Sequence, residues 1–188
     1  GGKDITFTAQ WTPYPWGGNG KWELVTDANE ITVSPATYVI FADTKQSGNK
    51  ACGETQNTNN RAIVDVSISD GLLTWTGSSP AVFTIETGHE ADTYAFYDAI
   101  NGGYLNASGS SKNNYLTTTL SKASANASFK IESIDAETGA ATVKAKSENR
   151  NLLNVNHGSS CFSAYGSEID GLAIYKFVAG SYFNINYA

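Results

Sequence analysis

Apolar and polar residues alternate in short runs along most of this chain, and one version of the alternation recurs. Ala81-Val82-Phe83-Thr84-Ile85, Ala127-Ser128-Phe129-Lys130-Ile131 and Ala173-Ile174-Tyr175-Lys176-Phe177 share the pattern Ala-x-aromatic-x-apolar, with successive alanines 46 residues apart. Aromatic and apolar residues two positions apart lie on one face of a strand. A fixed period between about 20 and 50 residues marks an internally repeated fold.

The segment before the second copy of this pattern shows the plan most clearly. Thr93–Ala99 reads as a strand ending at the turn Asn101-Gly102-Gly103, and Tyr104–Ala107 as its partner. A polar loop follows at Ser108–Asn113, then strands at Asn114–Leu120 and Ala127–Ile134. The third repeat matches with Ala141–Lys146, Asn151–Asn156, Cys161–Tyr165 and Leu172–Val178, and the first begins at Thr37–Asp43. About a dozen short strands with regular turn signals predict an all-β fold. Three repeats of four strands resemble a β-trefoil, which implies a closed barrel without sheet edges. Positions apolar in all three repeats are expected to share its core: Val39/Ala95/Val143, Ala51/Leu105/Leu153, Ala62/Leu116/Phe162, Phe83/Phe129/Tyr175 and Ile85/Ile131/Phe177.

The domain proper is expected at 21–178, with repeats at about 37–87, 93–134 and 141–178. Residues 1–20 read as an N-terminal strand (4–11) and a Pro- and Gly-rich linker, and 179–188 as a C-terminal strand. The opening Gly-Gly and the lack of any Met suggest a processed fragment.

Charge narrows the partners. The formal net charge is −6, without a Lys/Arg cluster, which disfavours nucleic acid because phosphate contacts need a basic patch. No apolar run is long enough for a membrane helix. Cys52 and Cys161 fall in the first and third repeats; a disulfide between them and two separate buried thiols both stay open. His89 and His157 are the only imidazoles. A Cys161–His157 nucleophile pair would require the loop histidine to face the thiol. Asp135/Glu137 and Glu168/Asp170 read as solvated turn carboxylates. With no phosphate-loop, hydrolase-elbow or metal-ligand spacing, the chain is expected to be no enzyme, with no catalytic residues, metal or cofactor.

Several stretches resemble a module of secreted and surface-attached Bacteroidetes proteins. They are Glu23-Leu24-Val25-Thr26-Asp27, Asn57-Thr58-Asn59-Asn60-Arg61-Ala62, Gly103-Tyr104-Leu105-Asn106-Ala107-Ser108, Asn114-Tyr115-Leu116, Ala127-Ser128-Phe129, Arg150-Asn151-Leu152-Leu153, Phe162-Ser163-Ala164-Tyr165 and Ile174-Tyr175-Lys176. The resemblance implies export, an accessory role beside neighbouring domains of a larger extracellular protein, and no catalytic residues.

Carbohydrate binding or adhesion is the expected role, with a glycan or cell-surface polysaccharide as partner; a spacer that docks a larger extracellular enzyme and has no ligand of its own is the alternative. A sugar ring offers apolar faces to aromatic residues and hydroxyls to amides, and the chain holds 4 Trp, 10 Tyr and many Asn. Arg61, Tyr115 and Cys161 are aligned as one outward slot, with Asn60 and Asn114 preceding the first two. The candidate ligand residues are Asn60, Arg61, Trp75, Tyr104, Asn114, Tyr115 and Tyr165. Because the outward slot differs in every repeat, a single asymmetric site is expected.

Overall fold

A computed structural model describes residues 20–44, 49–55 and 59–180. The strands expected at 4–11 and 181–187, the linker at 12–19, and Trp11 and Trp16 lie outside the described residues. Within them fifteen strands form: β1 Gly20–Leu24, β2 Tyr38–Ala42, β3 Lys50–Thr55, β4 Arg61–Asp65, β5 Ser67–Ser69, β6 Leu72–Thr74, β7 Phe83–Thr87, β8 Tyr94–Asp98, β9 Gly103–Asn106, β10 Thr117–Thr119, β11 Phe129–Ile134, β12 Ala141–Ala145, β13 Leu152–Asn156, β14 Cys161–Tyr165 and β15 Ala173–Ala179. The only helical elements among these residues are two single-turn 3-10 segments, Ala28–Glu30 and Ala125–Ala127.

Every strand pairing is antiparallel. Hydrogen-bonded neighbours run β10-β9-β8-β11-β12-β13-β14-β4-β3-β2-β15-β1-β6-β5, and β7 joins distant points of that order by pairing with both β2 and β8. Strands beyond the expected dozen include the hairpin β5–β6 in the long first repeat and β1 against β15. That hairpin turns on Asp70 (φ 51°) and Gly71 (φ 74°), the two left-handed residues that a tight two-residue connection needs.

Apolar side chains form two clusters. The larger gathers Val39, Phe41, Phe83, Ile85, Phe96, Leu105, Leu116, Phe129, Val143, Leu153, Phe162 and Ile174. The smaller lies around Trp22, Ile40, Leu73 and Tyr175. Strand β2 therefore buries both faces, with Val39 and Phe41 in one cluster and Ile40 and Ala42 in the other. Strand β15 does the same through Ile174 and Tyr175. This corrects the expected core at Tyr175 and Phe177, which pack with the smaller cluster. A strand covered on both faces has no single alternating frame to read.

Pairing register corrects the first repeat as well. Cys52 lies opposite Ile63, Leu105 opposite Thr118, and Leu153 opposite Ala164. Corresponding positions two residues earlier on the second strand of each pair are Arg61, Leu116 and Phe162, so Arg61, not Ala62, occupies the inward slot. A one-residue slip exchanges the two faces of a strand, and the sequence alignment of this repeat slipped by one. Cys52, not Ala51, accordingly joins the larger cluster, and Ala51 the smaller.

Arg61 is 0% exposed and pairs with the equally buried Asp98. Its Nε donates to the Gly53 carbonyl (3.2 Å), its Nη1 to Thr118 Oγ1 (3.3 Å), and its guanidinium lies 5.4 Å from the Phe83 ring centre. Asp98 Oδ1 also accepts the main-chain N–H groups of Ile100 and Asn101, and its Oδ2 the Asn101 side-chain amide. Burial opposes the charge on Arg61, but the Cys52 sulfur and Asp98 outweigh it and raise its pKa. Burial pushes the Cys52 thiol up to about 12 against the pull of Arg61, which keeps it neutral.

Candidate functional site

The loop from β9 to β10 is the first wall of a surface hollow. Ser110 organises it locally: its hydroxyl accepts the Lys112 and Asn113 N–H groups (3.3 and 3.2 Å), and its own N–H donates to the Asn113 carbonyl (3.1 Å). Gly109 is required there because a Cβ would come 2.7 Å from the Asn113 oxygen. Arg150, held at φ 41°, reaches across from the β12–β13 turn. Its Nε and Nη2 donate to the Ser111 carbonyl (3.3 and 3.0 Å) and its Nη1 to Asn114 Oδ1 (2.6 Å). Asn151 closes its own turn by donating to the carbonyls of Ala145 and Ser147 (3.0 and 2.9 Å).

The floor forms where β4, β10 and β14 begin to converge. Ser163 Oγ donates to the Asn114 carbonyl (3.0 Å), and Leu116 N to the Asn59 carbonyl (2.7 Å). With its nitrogen turned inward, the Asn60 amide donates to Ser163 Oγ (2.6 Å) and to the carbonyls of Asn59 and Asn114 (both 2.9 Å). Tyr165 is buried, with its hydroxyl 3.3 Å from Cys161 Sγ. Burial and that contact raise the pKa of its phenol.

Asn60, Asn114, Tyr115 and Tyr165 thus line one hollow of about 420 Å³, joined by Lys112, Asn113, Ser159 and Cys161. The other three candidates lie elsewhere. Arg61 is enclosed in the core, so the expectation that it points outward is corrected. Trp75 packs 6.4 Å from Trp22 in the smaller cluster. Tyr104 donates to Glu86 (3.1 Å) beneath Lys122, and its ring packs against Tyr97 at 5.1 Å with the planes tilted by 56°. Lys112, Ser159 and Arg150 were missed by sequence reading. A polar residue in an Asn/Ser-rich loop looks the same whether it lines a hollow or faces open water.

The groups considered for catalysis have other partners. His157 Nε2 contacts Asp43 Oδ2, and the His157 main-chain N–H donates to Asp170 Oδ2 (2.6 Å). Cys161 instead meets Tyr165. Cys52 and Cys161 are both free, buried thiols, so they form no bridge. Asp135 Oδ1 caps its own turn through Thr138 and Glu137. Among the described residues no group of three or more His, Cys, Asp or Glu side chains is placed to hold a metal ion, and no helix there is long and apolar enough to cross a membrane.

Asp43 is 1% exposed, and its Oδ1 has no hydrogen-bond partner. Burial raises its pKa against the bonds from His157 and the Lys50 N–H, and Asp170 adds to the rise. A carboxyl whose folded pKa is raised binds its proton more tightly folded than unfolded. Its stabilising contribution is therefore complete below the unfolded value of about 3.9 and is lost as pH rises through the folded value. The melting temperature of the wild type relative to Asp43→Asn is expected to fall as pH increases from about 4. Thermal melts of both proteins between about pH 3.5 and 7 check this, and parallel curves would refute it.

Fold and site together define an antiparallel all-β protein with an Asn- and Tyr-lined surface hollow. A solved structure of similar fold is a salivary protein from Culex quiquefasciatus that belongs to the Cysteine and Tryptophan-Rich (CWRC) family. It is 18% identical, with a TM-score of 0.51, over 84% of this chain and 99% of that one. Identity at this level speaks for the fold alone. No family model matches the chain, and no curated protein matches it. The resemblance to a Bacteroidetes module is corrected by this Culex neighbour. Its motifs are short strand ends and Asn/Gly turns, which hairpin-rich antiparallel proteins share without kinship.

Proposed function

We propose that this chain is a non-catalytic, secreted or cell-surface module that binds carbohydrate in the hollow at Asn60, Asn114, Tyr115 and Tyr165. The observation that carries the reading is a division of labour among the lining side chains. Asn60, Asn114 and Tyr165 are engaged in the floor. The side chains of Lys112, Asn113, Tyr115 and Ser159, by contrast, make no hydrogen bond or ion pair with another described residue. A fixed floor with one aromatic and several unengaged polar groups suits a ring that has apolar faces and hydroxyl edges. The salivary origin of the Culex neighbour supports an extracellular setting. The frame of this reading is a closed barrel of three four-strand repeats. The matching pairings at Cys52–Ile63, Leu105–Thr118 and Leu153–Ala164, and the bridging of β2 and β8 by β7, support that frame.

Affinity gels containing mucin, xylan, mannan, β-glucan or pectin test it. At least one polysaccharide is expected to retard the wild type, and Tyr115→Ala to weaken the retention about tenfold or more, equivalent to roughly 1.4 kcal/mol. Trp75→Ala is expected to leave retention intact, since Trp75 lies outside the hollow. If no polysaccharide retards the protein, the spacer reading takes its place.

A further inference from the structure

Beside the proposed sugar hollow lies a second, larger one of about 700 Å³, and Asn114 and Tyr165 belong to the walls of both. The seam between them is rigid. Arg150 holds Asn114 and Ser111 from one side, while Tyr165 is anchored to Cys161 from the other. Beyond the seam, Glu148, Asn149 and Ser167 line the second hollow with side chains that make no hydrogen bond or ion pair with another described residue. Ile169, 39% exposed, contributes an apolar surface there.

Each hollow therefore repeats one composition: an apolar surface, unengaged polar groups at the rim, and a shared floor fastened by internal hydrogen bonds. Volumes of 420 and 700 Å³ both fall in the range of pockets that hold small ligands. Lys112 and Arg150 against Glu148 give the combined surface both signs of charge, and the Arg150 guanidinium is already engaged by Ser111 and Asn114. An acidic chain would meet Glu148, and a basic one Lys112.

On these grounds, and resting on the carbohydrate reading above, we propose that the two hollows form one groove for a linear, uncharged oligosaccharide. One unit stacks on Tyr115, and the next units cross the Asn114–Tyr165 seam toward Asn149 and Ser167. The site thus reads a stretch of chain rather than a terminal sugar.

The test uses oligomers of one to six units cut from the polysaccharide that retards the protein best in the gels, titrated by calorimetry. Affinity is expected to rise about tenfold or more between one and three units, then to level off. Asn149→Ala/Ser167→Ala changes two exposed side chains. It is expected to remove most of that gain while leaving the affinity for the single sugar within about twofold, and its melting temperature shows whether the fold is intact. Affinity independent of length would overturn the groove and leave the sugar-binding reading standing. So would a length gain that the double variant keeps. Failure of every polysaccharide to bind would end both.

Discussion

Arg61→Leu is expected to destabilise the protein by about 3–5 kcal/mol, because it leaves the Asp98 carboxylate buried without its cation. For a domain of this size that corresponds to a drop in melting temperature of roughly 6–20 °C. The expected loss does not mean that the ion pair is a net source of stability. Desolvating two charges offsets most of their attraction, and replacing both members of such a pair is often neutral. The protein contains its own comparison, since Leu116 and Phe162 fill the slots that correspond to Arg61 and are fully or almost fully buried. Arg61→Leu/Asp98→Asn is therefore expected to recover about 2 kcal/mol or more over Arg61→Leu. Asparagine keeps an oxygen for the Ile100 and Asn101 N–H groups that Asp98 accepts. Urea melts of the wild type, both single variants and the double variant decide the matter. A double variant no more stable than Arg61→Leu would show that uncompensated charge is not what the single change costs.

Phe41→Ala is expected to cost about 3–5 kcal/mol, the range for emptying a large aromatic site in a packed core. Phe41 is 0% exposed. It meets Phe96 edge-on at 4.9 Å, Phe83 at 5.4 Å and Phe162 at 6.1 Å in near-parallel stacking. These partners come from the paired strands β7 and β8 and from the distant β14, so one truncation withdraws contacts from two separate parts of the chain. The surrounding strands cannot collapse into the space without breaking their pairings, and this places the expected loss toward the upper end. Leu120→Ser is the control: Leu120 is 89% exposed, and its change is expected to stay within about 0.5 kcal/mol. Equal losses in the two variants would mean that the cluster around Phe41 is not the centre of the fold.

Much of the strand content was legible because hairpins write themselves locally. The turn at Asn101-Gly102-Gly103 and the alternation in Phe83–Ile85 and Phe129–Ile131 each need only neighbours in sequence to be understood. Frames failed where a strand is buried on both faces. Tyr175 matches Phe83 and Phe129 in pattern, yet it packs in the smaller cluster with Trp22, Ile40 and Leu73. Arg61 was misplaced for a related reason: an arginine beginning a strand reads as outward, and its buried partner Asp98 lies 37 residues away.

Four of the candidate site residues meet because they precede β4, precede β10 and close β14, three places that sequence order does not connect. Trp75 and Tyr104 have the right residue type but stand elsewhere: half-buried Trp75 lines a separate hollow beside Trp22, and the Tyr104 hydroxyl is bound to Glu86.

Alternation and turn chemistry, which act over a few residues, were enough by themselves to make this an all-β protein of short antiparallel strands without a basic patch. Register, enclosure and the engagement of each polar group depend on which strand arrives opposite, and only the tertiary structure decided them. It put Arg61 inside, left Cys52 and Cys161 apart as thiols, and set Asn60, Asn114, Tyr115 and Tyr165 around one hollow. The physical reason is that a side chain's environment is made by long-range pairing, and a shift of one residue reverses every face it presents.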